Sequence, residues 1–406
     1  MKPWINKGMM LLFFVCIVVY LVWSAIHRPR VLVLQSYGLD YDWTRDVNNS
    51  IKKGFLGKPY DVQYHFMDTK THSDPEFKYI AGSRARKRIN NWKPDVLIAV
   101  DDNAQSLVAV CYMDSAKVNI NNIRSAKNPA VRAIFGQCRK DHPDLKVVFV
   151  GIGAEPEDYG YNGQNNVTGI LERMDHPALL ETIIQIANVQ KKSKMVVTAP
   201  IDDSTSGIYN LDGLQNLKKE AAPFGVTIQP QQIKTFAKWK QMVEKANKNA
   251  DLLLISNYHT IKCNSSPKSA RVSPGDLIAW TQANSSIPGL GGWGFYVTDG
   301  GMLSVAVSPF EQGEVAARLA IKILEGAKPS SLPIETTHQS IIFMNKALEQ
   351  YYGLSLPRIY EAFARATDNF IPCKSKDCRI DIQQIKKIKE NKRPATFCEN
   401  SAVKRN

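Results

Sequence analysis

The chain has 406 residues, of which 44% are hydrophobic and 22% charged, and a formal net charge of +14. That is enough apolar material for a sizeable core, which excludes disorder throughout, and the length suits two ordinary domains or one large α/β unit. A single long apolar run excludes a multi-span membrane protein, and seven cysteines are too few for a disulfide-stapled miniprotein.

The apolar run is residues 9–26 (MMLLFFVCIVVYLVWSAI), 18 residues without a charge, preceded by Lys2 and Lys7 and followed by His27, Arg28 and Arg30. A hydrocarbon core of about 30 Å can just be crossed by such a stretch. Residues 1–27 therefore read as an uncleaved membrane anchor or a cleaved secretory signal, and in both cases the remainder is exported. Six cysteines follow: Cys111, Cys138, Cys263, Cys373, Cys378 and Cys398. Their even number permits disulfides; Cys373 and Cys378 are close enough to pair locally, and the other connectivities stay open. No second pair or nearby His completes a zinc set, so no metal is expected.

Strand and helix then alternate. Short runs rich in Val, Ile and Leu occur at 31–35, 95–100, 146–150, 195–198, 251–255 and 302–307. Nearly continuous apolar runs of this length suit strands buried on both faces of a parallel sheet. Helical stretches lie between them at 78–91, 177–190, 211–224, 236–249 and 311–326. The pattern predicts an α/β fold with two sheets, the first complete near Asn162. Residues 373–406 hold ten Lys/Arg and four acids, a net +6, and read as a peripheral basic tail. With Phe397 its only aromatic residue, the tail lacks the stacking residues of a single-strand binder, and no nucleic-acid partner is expected.

Ligands of open α/β sheets sit beyond the carboxyl ends of the strands. The residues found there are Ser36, Tyr37 and Trp43; Asp101, Asp102 and Asn103; Asp202, Asp203, Ser204 and Thr205; Ser256, Asn257, Tyr258 and His259; and Trp293 and Asp299 in the Gly-rich stretch 289–301. Carboxylates, amides, hydroxyls and aromatics of this kind suit a small polar ligand. The same Asp and Asn residues also suit helix caps and turns. Five Asp residues with few cations in the same loops favour a cationic or zwitterionic ligand, which Tyr37, Trp43, Tyr258 and Trp293 would stack on. No phosphate-binding G-x-x-x-x-G-K-[ST], zinc-binding H-E-x-x-H or nucleophilic G-x-S-x-G motif occurs, so neither an enzyme nor a cofactor is expected.

Several segments carry a resemblance: VLVLQSY at 31–37, WTRDV at 43–47, MDTK at 67–70, WKPDVLIA at 92–99, DDNA at 101–104, NVTGI at 166–170, SVAVSPFEQG at 304–313, AARLAIKILEGAKP at 316–329 and MNKALEQYYGLSLP at 344–357. In that order they resemble the ABC-transporter substrate-binding proteins of the tryptophan/tyrosine type, and closer still the variant used as an extracytoplasmic sensor. The resemblance implies a type I periplasmic-binding-protein fold: two doubly wound parallel-sheet lobes, three crossovers, a hinge and a central cleft. It places lobe 1 at 28–160 plus about 297–330 and lobe 2 at 161–296 plus about 331–372. It also implies ligand contacts at Ser36, Tyr37, Asp102 and Asn103 from one lobe and Asp203, Ser204, Asn257 and Trp293 from the other. The partner would be an ABC permease or, alternatively, a sensor kinase or cyclase. The expected location is the bacterial inner membrane with the body in the periplasm, or the soluble periplasm if the first segment is cleaved. Relatives often carry small residues where this chain has Asp101-Asp102, so an amino-acid specificity does not carry over.

Overall fold

The runs of Val, Ile and Leu form the central strands of two separate sheets. The computed structural model describes residues 3–26, 28–113, 129–135, 145–266, 269–375, 377–390 and 398. The first sheet contains β1 (Arg30–Gln35), β2 (Asp61–Phe66), β3 (Val96–Val100), β4 (Lys146–Ile152), β5 (Val167–Leu171) and, from far along the chain, β11 (Glu335–Thr336). Its order is β11-β5-β4-β3-β1-β2, parallel throughout. The second contains β6 (Met195–Ile201), β7 (Val226–Gln232), β8 (Leu252–Ile255), β9 (Gly289–Gly291), β10 (Leu303–Val307), β12 (Ser340–Asn345) and β13 (Phe370–Ile371). Its order is β13-β12-β10-β9-β8-β6-β7, and only the β10–β12 pair is antiparallel.

The six expected strands are buried and lie inside their sheets, and the missed strands include edges, short strands and strands interrupted by glycine, as in β5 (VTGIL). β2 (DVQYHF) is a half-buried edge, and β7 (VTIQPQQ) is an edge strand with Pro230 in it, which an edge tolerates. β9 is Gly-Leu-Gly, which reads as a loop. Its glycines make room for the Tyr296 ring, which a Cβ at either position would strike.

The chain changes lobe at places other than the expected boundaries at 160 and 297. β5 joins the first sheet by pairing with β4, β10 belongs to the second, and the chain then returns to add β11 to the first. On that return the helix Pro309–Leu324 packs on Asp42–Phe55 of lobe 1, its Ala317 directly against Gly54. The crossings after β5, β10 and β11 are bonded to one another. Gln312 accepts from Gly151 N (2.9 Å) and donates to Thr337 Oγ1 (2.6 Å) and Leu171 O (3.3 Å). The Glu311 carboxylate accepts from His338 N (3.1 Å) and Gln339 N (2.9 Å).

The tail is attached rather than peripheral. Its helix Arg379–Glu390 docks on the second lobe, where Lys389 Nζ donates to Gln282 O (2.6 Å), to the Tyr352 hydroxyl (3.2 Å) and to Ser285 O. Beneath it lies a mostly apolar cavity of about 850 Å³. Cys373 bonds Cys378, and Cys398 bonds Cys263 in the loop after β8. Cys111 is also disulfide-bonded, and Cys138 lies outside the described residues. Pro3–Ile26 is one helix of 24 residues, with side chains described for 9–19 and 21 only. Among the described residues no helix is long and apolar enough to cross a membrane.

Candidate functional site

The carboxyl ends of β1 and β3 face those of β6 and β8 across the gap between lobes. On the lobe 1 side, Ser36 does internal work: its Oγ donates to Val100 O (2.7 Å) and accepts from Ala104 N (2.8 Å), fixing the turn from β3 into the short helix Asp101–Leu107. Asp101 opens that helix at φ +70°, a left-handed conformation unusual for a residue other than glycine. Strain of this kind persists where the surroundings hold it and is often found at ligand sites. Its Oδ1 accepts from the Tyr37 hydroxyl (2.7 Å), the Asp102 amide (2.9 Å) and, from lobe 2, Ser206 Oγ (3.3 Å). Asn103 donates to Thr69 Oγ1 (2.9 Å) and accepts from Thr205 Oγ1 of lobe 2 (3.2 Å). The Tyr37 hydroxyl also meets Ser206 Oγ at 2.9 Å. The lobes are thus in direct contact.

Asp102 is different. Its Oδ1 accepts from the Tyr159 hydroxyl (2.7 Å), but its buried Oδ2 has no hydrogen-bond partner. Oδ2 lies beside Gly153, as does Asn210 Oδ1 of lobe 2. Glu172, in the first crossing, lies close by, its Oε2 beside Gly151 and the Trp43 indole, whose buried Nε1 also lacks a partner. Burial, and then the charge of Asp101, push the Asp102 carboxyl up to about 7. Burial pushes Glu172 well above the carboxylate range, and the charges of Asp101 and Asp102 push it further. Burial likewise raises Asp101, against the charge of Lys70. Three acids therefore crowd the centre, opposed chiefly by one buried cation. Lys70 is 7% exposed, with Nζ 4.7 Å from the Tyr37 ring centre and 5.5 Å from that of Tyr41.

Toward solvent the character reverses. A polar cavity of about 140 Å³ between the lobes is lined by Lys70, Lys78 and Lys262 with Asn103, Asp203 and Ser204. An apolar chamber of about 400 Å³, walled by Tyr79, Leu107, Ile134, Ile208 and Tyr209, shares Lys78, Asn103 and Asp203 with it. Burial lowers the Lys78 ammonium, and the charge of Lys70 lowers it further.

Of the expected residues on lobe 2, Asp202 is a structural group, accepting from Ser204 Oγ (2.6 Å) and Thr260 N (2.9 Å). Ser204 caps the helix Thr205–Ala221 through Gly207 N (3.1 Å), and Asp203 pairs with Lys234 (3.4 Å). Asn257 accepts from Asn210 Nδ2 (2.9 Å) and Ser256 Oγ (3.1 Å); Ser256 in turn accepts from Trp293 Nε1 (3.2 Å). Trp293 meets Trp43 edge to face across the gap, ring centres 5.7 Å apart. Tyr258 turns away into the lobe 2 core, stacks on His259 and donates to Asp299 (2.5 Å), whose carboxylate also borders the cavity under the tail helix. Tyr258 and Asp299 are therefore a pair within lobe 2, and the structure does not bring them to the acid cluster. Sequence reasoning missed Glu172, Lys78 and Lys262: Glu172 follows β5 and Lys78 follows β2, two strands the hydrophobic pattern did not find, and Lys262 lies well along the loop after β8. Lys70 lay in the quoted MDTK segment, but β2, which delivers it, was not legible.

The family model for ABC transporter substrate-binding proteins matches residues 147–360, more than half of the chain. The protein belongs to that family. As an ABC transporter substrate-binding protein it binds a small solute rather than catalysing a reaction, and the family is extracytoplasmic. Solved structures agree on the fold. An ABC domain from Streptococcus pneumonia in complex with L-Trp has 14% identity, a TM-score of 0.59, and coverage of 85% of this chain and 100% of its own. A conserved domain protein from Vibrio cholerae has 16% identity, a TM-score of 0.56, and coverage of 82% and 98%. A substrate-binding protein with adhesive properties from Clostridium difficile, in its ligand-free, open form, has 15% identity, a TM-score of 0.55, and coverage of 86% and 100%. No curated protein matches the chain. The fold is the type I periplasmic-binding-protein architecture, as the order of motifs implied.

Proposed function

We propose that this substrate-binding protein captures a small zwitterionic or cationic solute between its lobes and delivers it to an ABC importer. The observation that carries this reading is the buried, uncompensated acid cluster. Asp102 Oδ2 lacks a donor, and Glu172 and Asp101 share its surroundings with Lys70, and for Glu172 also Arg173, to oppose them. An ammonium group there would supply the missing donor and let all three acids ionise, because an opposite charge at contact distance favours the charged form. The lysine-rich cavity on the outer side supports a zwitterion, whose carboxylate would face Lys70, Lys78 and Lys262. The ligand would favour closure because only in the closed state do both lobes reach it. Disulfides at Cys111, Cys263–Cys398 and Cys373–Cys378 support an oxidising compartment, and the apolar run 9–26 supports a tether to the inner membrane.

The test is calorimetric titration with amino acids, other zwitterions, amines and dicarboxylates, with X-ray scattering to follow compaction. Tight binding of a zwitterion or amine that Asp102→Asn weakens at least tenfold supports the reading. Tight binding of a dicarboxylate that the substitution leaves unchanged refutes it.

A further inference from the structure

A further contact between the lobes comes from the loop after β8, which also carries Lys262. After β8 the chain forms a hairpin in which Cys263 N donates to Ala270 O (2.9 Å) and Val272 N to Ile261 O (2.8 Å). At its base Arg271 reaches across to lobe 1 and donates through both terminal nitrogens, to the carbonyls of Lys70 and Thr71. Those carbonyls belong to the loop that carries the Lys70 ammonium over Tyr37 and Tyr41. The same hairpin is held from behind by Cys398, bonded to Cys263, the residue that pairs with Ala270. Cys398 packs on the lobe 2 core of Phe236, Trp239 and Trp280.

We infer that Arg271 is the clasp of the closed state and that the Cys263–Cys398 bond to the tail holds it in position. Two carbonyls of one loop need two donors at fixed spacing, which a guanidinium provides and an ammonium does not. The partners are backbone atoms, so the clasp is indifferent to ligand identity: it fastens the lobes and at the same time fixes where Lys70 stands. Asp68 and Asp202 face the guanidinium without forming an ion pair with it, so its bonds to the two carbonyls are its principal anchors. The hairpin by itself is short and polar at its tip (Asn264, Ser265, Ser266), and the disulfide spares it the ordering that closure would otherwise require.

This inference rests on the two-lobed closing mechanism but not on any particular solute, so its test uses the full chain without ligand. Spin labels on the exposed faces of the two lobes report the distribution of interlobe distances. Arg271→Ala should lower the closed-to-open ratio about tenfold, the equivalent of about 1.4 kcal/mol. Arg271→Lys, which keeps the charge and loses the fork, should recover only part of it. The far-UV circular dichroism of Arg271→Ala should match the wild type, so that a shift in interlobe distances reports opening of two folded lobes and not their unfolding. Replacing both Cys263 and Cys398 by Ser should open the protein in the same direction while Arg271 is still present. An unchanged distance distribution in Arg271→Ala, or full recovery in Arg271→Lys, overturns the clasp. A double Ser variant indistinguishable from wild type overturns the part assigned to the disulfide.

Discussion

Replacing Asp102 by Asn should make the empty protein more stable and the ligand complex weaker. The folded protein holds the Asp102 proton up to about pH 7, whereas an unfolded chain releases it near its ordinary value of 3.8. Between those limits the folded state binds more protons than the unfolded one, so stability falls as pH rises through the window. Raising the carboxyl from 3.8 to about 7 corresponds to about 4 kcal/mol lost by pH 8. Asparagine is neutral throughout. Its oxygen still accepts from the Tyr159 hydroxyl, and its amide is placed beside Asn210 Oδ1, where the carboxylate oxygen has no partner. Urea unfolding from pH 3.5 to 8.5 should give curves that converge at the acid end, diverge steadily from about pH 4 and run parallel above about pH 7. The variant should be ahead by about 2–4 kcal/mol at pH 8, the lower figure allowing for relaxation around the charge. Carboxylates away from the cluster cancel in the difference between the two proteins; Glu172 does not, because the charge of Asp102 helps to raise it, and its relief adds to the variant's advantage. Ammonium binding should move the opposite way, because the partner charge is gone. Parallel stability curves across the whole range would refute the assignment of Asp102 as a buried, displaced acid.

Lys70→Met should shift preference from zwitterions toward amines without a carboxylate, by about tenfold in the ratio of affinities, which competition titration would measure. Gly313→Ala should destabilise lobe 1 by about 1–3 kcal/mol, because the new methyl meets the Val47 carbonyl and Ser50 where two helices touch; the urea midpoint is the readout. Lys389→Met should release the helix Arg379–Glu390, seen as faster amide exchange across it and little change in the acid cluster. Lys389 titrates near pH 8, lowered by burial, so in the wild type its bonds to the lobe 2 carbonyls should also weaken as pH rises past that value.

Much of the scaffold was legible because burial on both faces leaves an unbroken apolar run, and each of the six runs read from the sequence is a strand in the interior of its sheet. Edges were illegible for the converse reason: β2 and β7 are half solvated and carry polar residues at alternate positions. Lobe membership was misread at β5 and β10 because pairing partners far along the chain, not local composition, decide which sheet a strand joins. In the site, residues that follow strands were found, but their type could not reveal their direction. Asp102 and Asp202 look alike in sequence. One has a bare oxygen in the gap, and the other is consumed by Ser204 and Thr260. Glu172 follows a strand hidden in a motif quoted for its family likeness, and Arg271 comes from a hairpin that composition marks only as polar.

The late return of the chain has a consequence for how the protein is made. The first sheet receives β11 and the covering helix Pro309–Leu324 only after most of lobe 2 has been synthesised, and lobe 2 is closed by a cystine whose halves are 135 residues apart. A chain emerging N-terminus first therefore carries two unfinished lobes at once from about residue 176 to residue 336. The first can be completed when residue 336 has arrived, the second only with Cys398 near the end. Arrival of Cys398, rather than completion of either lobe in turn, becomes the event that finishes the second lobe.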